Sequence, residues 1–250
     1  MKDKIKFAAI SDLHGNLIDL KKEVDVLLIA GDVVPLDIQR NDRKSKKWFK
    51  EVYQEWAVKQ PAKRIVLVAG NHDFFLYNMS NSKNLPKINT ALGEKTTYLE
   101  NSTTLITIDE VPNKVVHIYG SPLCKIFCDW AFMYPYDYQR EIFDKVRGLT
   151  KEKLEAEFPG YDIYSIVLTH DAPYGCSDII LEKSPYTTGE NIGNEEIRNL
   201  LVDMKPDLNL HGHLHSTNHD AEYIGNTEVR NVSILSESYS VMYEPYYFEV

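Results

Sequence analysis

Five short apolar runs in this chain are each followed by side chains that can bind metal ions. Runs of this length, rich in β-branched residues and bounded by Gly, Asn or Asp, predict buried strands. Because ligands bind beyond the carboxyl ends of strands in open α/β sheets, we expect the five ends to meet at one edge. The runs and their side chains are 6–10 with Asp12 and His14, 26–30 with Asp32, 64–69 with Asn71, His72 and Asp73, 165–169 with His170, and 208–210 with His213 and His215.

The end of the third strand has the most varied side chains. Asn71 offers a neutral oxygen to a hard cation, His72 can bind a metal or move a proton, and Asp73 can orient that imidazole. Each residue alone has an ordinary explanation, since Asn and Asp are common turn formers. The recurrence of the pattern after five strands is what predicts a functional site. The other histidines, which we interpret as structural, are His117, His211 and His219.

Composition narrows the class of protein. The chain has 250 residues, three cysteines and a formal net charge of −9. Phosphate neutralisation dominates non-specific binding of nucleic acid, so an acidic chain is a weak candidate for it. No apolar run approaches the roughly 20 residues of a membrane span, the N-terminus lacks a signal-peptide core, and three cysteines are too few for a disulfide framework. We therefore expect one cytoplasmic domain over 1–250 with no membrane partner.

Hydrophobic spacing predicts the elements between the five strands. The expected helices are 44–59, 138–158, a segment capped by 194–196, and about two turns within 15–23. The further expected strands are 97–108, 114–119, 228–235 and 245–250. Residues 78–87 and 179–193 are expected to be loops beside the site, with Tyr186, Thr187 and Thr188 as candidates for shaping the substrate side. The Lys- and Arg-rich stretch 40–50 is interpreted as a solvated helix face, with a phosphate-facing patch as the alternative.

In order and spacing, the five ligand motifs resemble those of the calcineurin-like metallophosphoesterases, and the resemblance spans nearly the whole chain. It implies a four-layer α/β/β/α sandwich of two mixed β-sheets flanked by helices. It also implies a two-metal centre bridged by Asp32, with His72 and Asp73 as catalytic residues that do not bind metal. The ligands that it implies are Asp12, His14, Asp32 and His215 for one ion, and Asp32, Asn71, His170 and His213 for the other.

Three further stretches resemble a subfamily that contains metallophosphoesterase-domain proteins of vertebrate brain and bacterial cyclic-nucleotide phosphodiesterases. These stretches are 116–122, 130–132 and 169–175. The chain departs from that subfamily at Asp171-Ala172, where relatives often have Gly-Pro, and in the loop 179–193. The resemblance implies a small phosphate ester, nucleotide-like in character, bound beside Asn71 and His72.

Elementary chemistry agrees with a two-metal centre. Two divalent ions about 3.5–4 Å apart need an anionic bridge, which a carboxylate supplies, and together they yield hydroxide at neutral pH. Mixed imidazole and carboxylate donors favour Mn, Fe, Zn, Co or Ni over Mg or Ca, and manganese is the ion that we expect. The leading function is hydrolysis of a phosphodiester or phosphomonoester. The alternatives are a nuclease, a non-enzymatic nucleotide sensor and, more weakly, a protein phosphatase.

Overall fold

The structure is a computed structural model, and it describes residues 4–180 and 189–250. Within these residues the strands are β1 (Lys6–Ile10), β2 (Val24–Ile29), β3 (Ala62–Leu67), β4 (Thr96–Tyr98), β5 (Ser102–Ile108), β6 (Val111–Ser121), β7 (Asp162–Thr169), β8 (Leu208–His211), β9 (Glu222–Ile224), β10 (Thr227–Asn231) and β11 (Tyr246–Glu249). The helices are α1 (Asp42–Trp48), α2 (Gln54–Lys59), α3 (Phe74–Asn81), α4 (Leu85–Leu92), α5 (Tyr136–Asp144), α6 (Lys151–Glu157) and α7 (Glu195–Met204). A π-helical turn, Phe49–Tyr53, joins α1 to α2 without a break.

The described strands form two mixed sheets. One has the order β11-β1-β2-β3-β4, in which β1 to β4 are parallel and β11 is antiparallel to β1. The other has the order β5-β6-β7-β8-β10-β9, with β6, β7, β8 and β10 parallel and an antiparallel strand at each edge. Each sheet therefore has a parallel centre whose strands all end on the same side.

The central core lies between the two sheets, and β2 shows why both of its faces are apolar. Val26 and Leu28 pack into the core between the sheets, whereas Leu27 and Ile29 pack on the other face with the helices. A strand that is covered on both faces reads as a continuous hydrophobic run because the side chains alternate between two buried surfaces. This is why the sequence of the parallel strands is apolar throughout.

Helices cover the outer face of each sheet. The π-helical turn buries Phe49 and Tyr53 against the five-stranded sheet, and α3 adds Phe75 to the same cluster. On the far side, Ile197 of α7 packs with Val167 of β7. Full burial of a side chain of this size stabilises the fold by about 1.5–3 kcal/mol. The predicted four-layer sandwich is confirmed.

One expected strand, 97–108, proves to be two strands in different sheets. β4 pairs with β3 of the five-stranded sheet, and β5 pairs with β6 of the six-stranded sheet. The chain turns between them at Asn101, whose φ of 50° lies in the left-handed region. Asn tolerates that region better than most residues because its short polar side chain can satisfy nearby backbone groups. The prediction of one continuous strand over 97–108 therefore missed the corner at Asn101.

Two helical predictions also need correction. The expected helix 138–158 is broken into α5 and α6, and Thr150 starts the second by accepting a hydrogen bond from the Lys153 amide. The expected loop 78–87 instead contains the end of α3 and the start of α4. Leu76 and Ile88 from these helices are fully buried, so tertiary burial outweighs the weak helix propensity of the Asn and Ser residues around them.

The two turns of helix expected within 15–23 do not form. The amide of Leu20 donates to the side chain of Gln60, and the indole of Trp56 donates to the carbonyl of Ile18. Side chains of the neighbouring α2 region therefore satisfy this backbone, which removes the need for helical hydrogen bonds. Tyr186, Thr187 and Thr188 lie outside the described residues. None of the helices in the described part of the chain has the length and hydrophobicity to cross a membrane.

Candidate metal centre

The ends of five parallel strands converge where the two sheets meet. Asp12, Asp32 and Asn71 follow β1, β2 and β3, while His170 and His213 follow β7 and β8. Backbone hydrogen bonds tie neighbouring ends together. The amide of Asp12 donates to the carbonyl of Gly31 (3.0 Å), and the amide of Gly212 donates to the carbonyl of His170 (3.0 Å).

Backbone conformation singles out four of the predicted ligands. They are Asp12 (φ 56°), His14 (φ 42°), Asp32 (φ 54°) and His213 (φ 69°). Non-glycine residues rarely adopt the left-handed region, and each instance costs of order 1–3 kcal/mol. Such residues persist where surrounding contacts hold them, and they cluster at functional sites. The strain here coincides with the strand ends that the sequence selected.

Two glycines let backbone approach the predicted carboxylate ligands. A Cβ atom at Gly70 would overlap the carboxylate of Asp32, and one at Gly212 would overlap both that of Asp12 and the side chain of Ser11. Neither glycine adopts a positive φ. Close packing against a carboxylate, and not backbone freedom, therefore explains why each position is a glycine.

The described residues contain three overlapping groups with ligand atoms within 4.8 Å of one another. The groups are Asp12, His14 and His215; His14, Asp32 and His72; and Asp12, Asp32 and His170. The Nε2 atom of His215 lies 3.3 Å from Oδ1 of Asp12, and Nε2 of His170 lies 3.3 Å from Oδ2 of Asp32. Asp12, His14 and Asp32 each belong to two groups, and Asp32 is the one that the sequence assigns to both metal positions.

The remaining two predicted ligands lie at the margin of these groups. Oδ1 of Asn71 is 2.9 Å from Nε2 of His170, so it lies beside the group that contains Asp32 and His170. The ring of His213 is centred 5.1 Å from that of His170, while its backbone amide donates to Asp12 (3.0 Å). The structure thus brings the seven predicted ligands together and adds His72, which the sequence assigned a different role.

In two of the histidines, one ring nitrogen forms a hydrogen bond with a backbone carbonyl next to the centre. Nδ1 of His170 lies 2.7 Å from the carbonyl oxygen of Ala30, and Nδ1 of His215 lies 3.0 Å from that of Ser236. A carbonyl can only accept, so each Nδ1 carries the hydrogen and donates it. This arrangement directs Nε2 towards the carboxylates and is the usual support of a metal-binding histidine. The donor set therefore fits divalent transition metals.

Electrostatics at the centre favour bound positive charge. Burial alone would raise the pKa of Asp12, but His215 outweighs it and holds the pKa of that carboxyl below its usual range. Burial lowers the pKa of His170 and of His215, yet Asp32 raises the first to about 10 and Asp12 raises the second to about 9. Without metal, protons on these two imidazoles balance the two buried carboxylates.

His72 lies at the mouth of the centre and has partners that the sequence did not predict. Its Nδ1 is hydrogen-bonded to Oε1 of Gln39, and its ring lies 4.4 Å from that of Trp130, centre to centre. Nε2 of His72 is 3.9 Å from Oδ2 of Asp32. Gln39 and Trp130 therefore fix the ring with Nε2 facing the predicted metal positions.

Asp73 does not orient His72, contrary to the sequence interpretation. Its carboxylate is fully buried and accepts hydrogen bonds from the amides of Val33, Val34 and Gly70. Burial raises its pKa to about 7, with a further contribution from the charge of Asp32. Asp73 therefore joins the ends of β2 and β3, and any effect that it has on the site passes through the backbone.

A cavity of about 630 Å³ opens over the centre. Its floor includes five of the seven predicted ligands, all but Asp12 and His170. Its walls include the apolar and aromatic side chains Leu36, Phe127, Trp130, Ile180, Ile192 and Leu214. Ile180 and Ile192 belong to the predicted loop 179–193, so the described ends of that loop do border the cavity. Trp130 lies in 130–132, one of the three stretches that resemble the subfamily.

Glu237 and Tyr239 also line the cavity, and sequence reasoning missed both. They follow the last predicted ligand by more than 20 residues and belong to no motif. Gln39 escaped notice for the same reason. Only the distance between side chains in the folded chain reveals these three.

Comparison with solved structures supports the fold. A protein of known crystal structure aligns over 91% of this chain and 90% of its own, with 16% identity and a TM-score of 0.55. The phosphopantetheinyl hydrolase of Mycobacterium tuberculosis aligns over 95% and 92%, with 13% identity and a TM-score of 0.50. The sulfate thiohydrolase SoxB of Thermus thermophilus aligns over 93% of this chain but 52% of its own, with 12% identity and a TM-score of 0.50.

Comparison of sequences gives the family. No curated protein is significantly similar to this chain. The family profile of the calcineurin-like phosphoesterases, however, matches residues 5–217 and so includes every predicted metal ligand. Such membership supports metal-dependent hydrolysis of phosphate esters as the chemistry of the site. The chain belongs to the calcineurin-like phosphoesterase family.

Proposed function

We propose that this protein is a two-metal phosphoesterase that hydrolyses small phosphate esters, with nucleotide-like phosphodiesters as the first candidates and monoesters as the second. The observation that carries this proposal is the overlap of the ligand groups. Asp32 shares one group with His14 and another with His170, and both sets of ligand atoms lie within 4.8 Å. One carboxylate between two sets of imidazoles is the arrangement that two neighbouring divalent ions require.

The residues that would hold the ions are those assigned from the sequence. Asp12, His14, Asp32 and His215 would hold one ion, and Asp32, Asn71, His170 and His213 the other. When bound, two such ions supply a hydroxide nucleophile at neutral pH and polarise the phosphoryl oxygens. Manganese suits the mixture of imidazole and carboxylate donors, as do iron, zinc, cobalt and nickel.

His72 is placed to deliver a proton to the leaving oxygen. Its Nδ1–H donates to the amide oxygen of Gln39, which leaves Nε2 facing the cavity. A neutral amide oxygen can accept from Nδ1 whether the imidazole is neutral or protonated, so Gln39 holds the ring in place through both states. General acid assistance of this kind contributes roughly 10²–10⁴-fold to a rate.

The cavity indicates the class of ester. A volume of about 630 Å³ suits a small molecule, and Phe127 and Trp130 offer aromatic faces to a flat organic group. Apart from histidines, Lys125 is the one basic side chain among the described residues that line the cavity, and its Nζ bonds the carbonyl of Gly193 (3.2 Å). A substrate with several phosphates beyond the metals would find little positive charge, so we infer a single reacting phosphate.

A nuclease is the second candidate, and one observation favours it. The guanidinium of Arg40 lies 4.8 Å from the centre of the Trp130 ring, beside the cavity, at the start of the basic stretch 40–50. The rest of that stretch gives less support, because Lys47 pairs with Glu51 on the helix surface. We therefore rank cleavage of nucleic acid below hydrolysis of a small ester.

The experiment compares substrates in parallel on one preparation loaded with manganese. Nitrophenyl phosphodiesters, 2′,3′- and 3′,5′-cyclic nucleotides and single-stranded DNA are assayed together, with chelator-treated protein as the control. We expect turnover of the nitrophenyl diester and of a cyclic nucleotide, abolished by the chelator. Cleavage of DNA without turnover of small esters would identify a nuclease. A preparation that binds two ions but turns over nothing would identify a sensor.

A further inference from the structure

A hairpin beyond the family-matched region contributes a side chain to the centre. The family profile ends at residue 217, and the hairpin in question is Ser236–Ser240. The amide of Ser236 donates to the carbonyl of Ser240, and the amide of Tyr239 donates to that of Ser236, both at 2.9 Å. The turn is therefore tight, and it carries Tyr239 into the wall of the cavity.

The Ser236–Ser240 hairpin is fixed to the ligand motifs at its base. Nδ1 of His215 donates to the carbonyl of Ser236 (3.0 Å), and the amide of Ser216 donates to the carboxylate of Glu237 (3.1 Å). Just before it, the amide of Ile234 donates to the carbonyl of Ser11 (3.0 Å). These bonds hold the hairpin in register with the strand ends that carry the predicted metal ligands.

Tyr239 occupies a backbone position that seldom suits a tyrosine. Its φ of 59° lies in the left-handed region, where Gly and Asn are the usual residues. A glycine would form the same turn without strain. An observed outlier of this kind, held by its surroundings at the edge of a site, is a reason to ask what the side chain does.

The ring of Tyr239 lies across two predicted ligands of one metal position. It meets the ring of His14 edge to face at 5.0 Å and that of His215 edge to face at 5.3 Å. The residue remains 41% exposed. In residues 4–180 and 189–250 no group hydrogen-bonds its hydroxyl. A free donor thus stands in the cavity wall beside the ligands of one ion.

We propose that Tyr239 is a substrate-contacting residue whose hydroxyl donates a hydrogen bond to a non-bridging oxygen of the phosphoryl group. The inference rests on the proposed function, since it requires a phosphate at the centre. A phosphate oxygen is an anionic acceptor, and hydrogen bonds to such acceptors are about twice as strong as those between neutral groups. A phenol is neutral at physiological pH, so it adds a donor without adding charge.

The competing explanation is that the ring of Tyr239 only covers His14 and His215. Tyr239→Phe separates the two because it removes the hydroxyl and keeps the ring. Tyr223→Phe is the matched control, since Tyr223 also follows residue 217, is 62% exposed and does not line the cavity. Both variants lose one hydroxyl and keep an aromatic ring.

The test measures two quantities on manganese-loaded protein: kcat/KM for a nitrophenyl phosphodiester and the Kd of inorganic phosphate by calorimetry. For Tyr239→Phe we expect a loss of at least about tenfold in kcat/KM and a weaker phosphate Kd, because a hydrogen bond to a charged group is worth about that much. Metal content and Tm should match the wild type, and Tyr223→Phe should change neither quantity.

Three outcomes overturn the inference: kcat/KM and Kd of Tyr239→Phe within twofold of the wild type, an equal loss in Tyr223→Phe, or wild-type protein with two ions that does not bind phosphate. The proposed function fails separately. Suppose that wild-type protein hydrolyses no ester but binds phosphate, and that Tyr239→Phe weakens this binding. The contact between Tyr239 and phosphate is then supported, and the proposed esterase activity is wrong.

Discussion

The two sheets contribute different chemistry to the centre. The five-stranded sheet supplies both carboxylates and the amide, through Asp12, Asp32 and Asn71, and one imidazole, His14. The ligands from the six-stranded sheet are all imidazoles, His170 among them. The closest contacts between opposite charges cross from one sheet to the other, as in the 3.3 Å approach of His170 to Asp32. The centre is therefore a property of the junction between the sheets.

This division has a physical consequence. Two buried carboxylates on one side repel each other and are disfavoured by burial unless positive charge faces them. The opposite sheet presents groups that can be either protonated or metal-bound, so it can supply that charge in two ways. Loss of Asp32, which would hold both ions, should accordingly affect both metal positions, whereas loss of an imidazole from the six-stranded sheet should affect one.

The largest effect is expected from Asp32→Asn. The substitution keeps the shape of the side chain but removes the anion shared by the His14 and His170 groups. Both ions should bind more weakly, and kcat/KM should fall by about 10³-fold or more, since metal ions contribute several kcal/mol to such transition states. Elemental analysis and kinetics on the same sample measure both effects.

His215→Ala is the comparator from the other sheet. His215 belongs only to the group with Asp12 and His14, so the substitution should lower the metal content by about one ion. If Asp32→Asn retains normal metal content and turnover, Asp32 is not a bridge. If both variants lose the same number of ions, the proposed asymmetry between the sheets is wrong.

The residues selected from the sequence lie together in the structure because strand ends are local features. An apolar run followed by a ligand is visible without knowing the fold, and parallel strands place their ends together. The partners of His72 were not visible in this way. Asp73, its neighbour in sequence, binds backbone amides, and Gln39, which is 33 residues away, makes the hydrogen bond. Side-chain direction after a strand end depends on tertiary packing that spacing does not encode.

The same limit applies to the fold. Helices and strands with strong periodicity were predicted, and the errors fell at a corner and in segments with weak periodicity. Asn101 turns the chain from one sheet into the other, and Leu76 and Ile88 are helical because they are buried against neighbours. Burial of this kind is decided by distant residues. Tyr239 is the clearest example, since its contact with His14 joins residues 225 positions apart in sequence.

The next effect concerns His72, which the carboxylate-bearing sheet also supplies. An alkoxide leaving group must be protonated as the bond breaks, whereas nitrophenolate leaves readily without a proton. His72→Asn should therefore lower kcat/KM for a nucleotide ester by about 10²-fold or more, and much less for a nitrophenyl ester. Equal losses with intact metal would assign His72 to charge stabilisation. Loss of an ion would make it a ligand, as its group with His14 and Asp32 permits.

A third effect distinguishes the protonated from the metal-bound state of the histidines that follow the six-stranded sheet. The pKa of His170 is raised to about 10 and that of His215 to about 9 in the fold, largely by Asp32 and Asp12 against the opposing effect of burial. A raised folded pKa gives stability that is complete below the unfolded value near 6.5 and is lost as pH rises through the folded value. Metal-free protein should therefore lose stability between about pH 6.5 and 10.

Urea unfolding at pH 6.5 and pH 9 measures this change. We expect the free energy of unfolding of metal-free protein to fall by at least about 1.4 kcal/mol, the equivalent of one pKa unit. Manganese-loaded protein should not show the fall, because bound metal requires the neutral imidazole. A metal-free protein whose stability is flat or rising over this range would show that protons on the two histidines do not balance the carboxylates.

The smallest effect is expected at Gln39, and it tests whether this side chain positions His72. Gln39→Ala removes the acceptor of the His72 Nδ1–H but leaves every predicted metal ligand in place. A single neutral hydrogen bond contributes about 0.5–1.5 kcal/mol, so kcat/KM for a nucleotide ester should fall by roughly 3- to 10-fold. If Gln39 acts only through His72, combining Gln39→Ala with His72→Asn should cost no more than His72→Asn alone, since residues that act as one unit are not additive. Independent, multiplying losses would place Gln39 in direct contact with the substrate instead of behind the histidine.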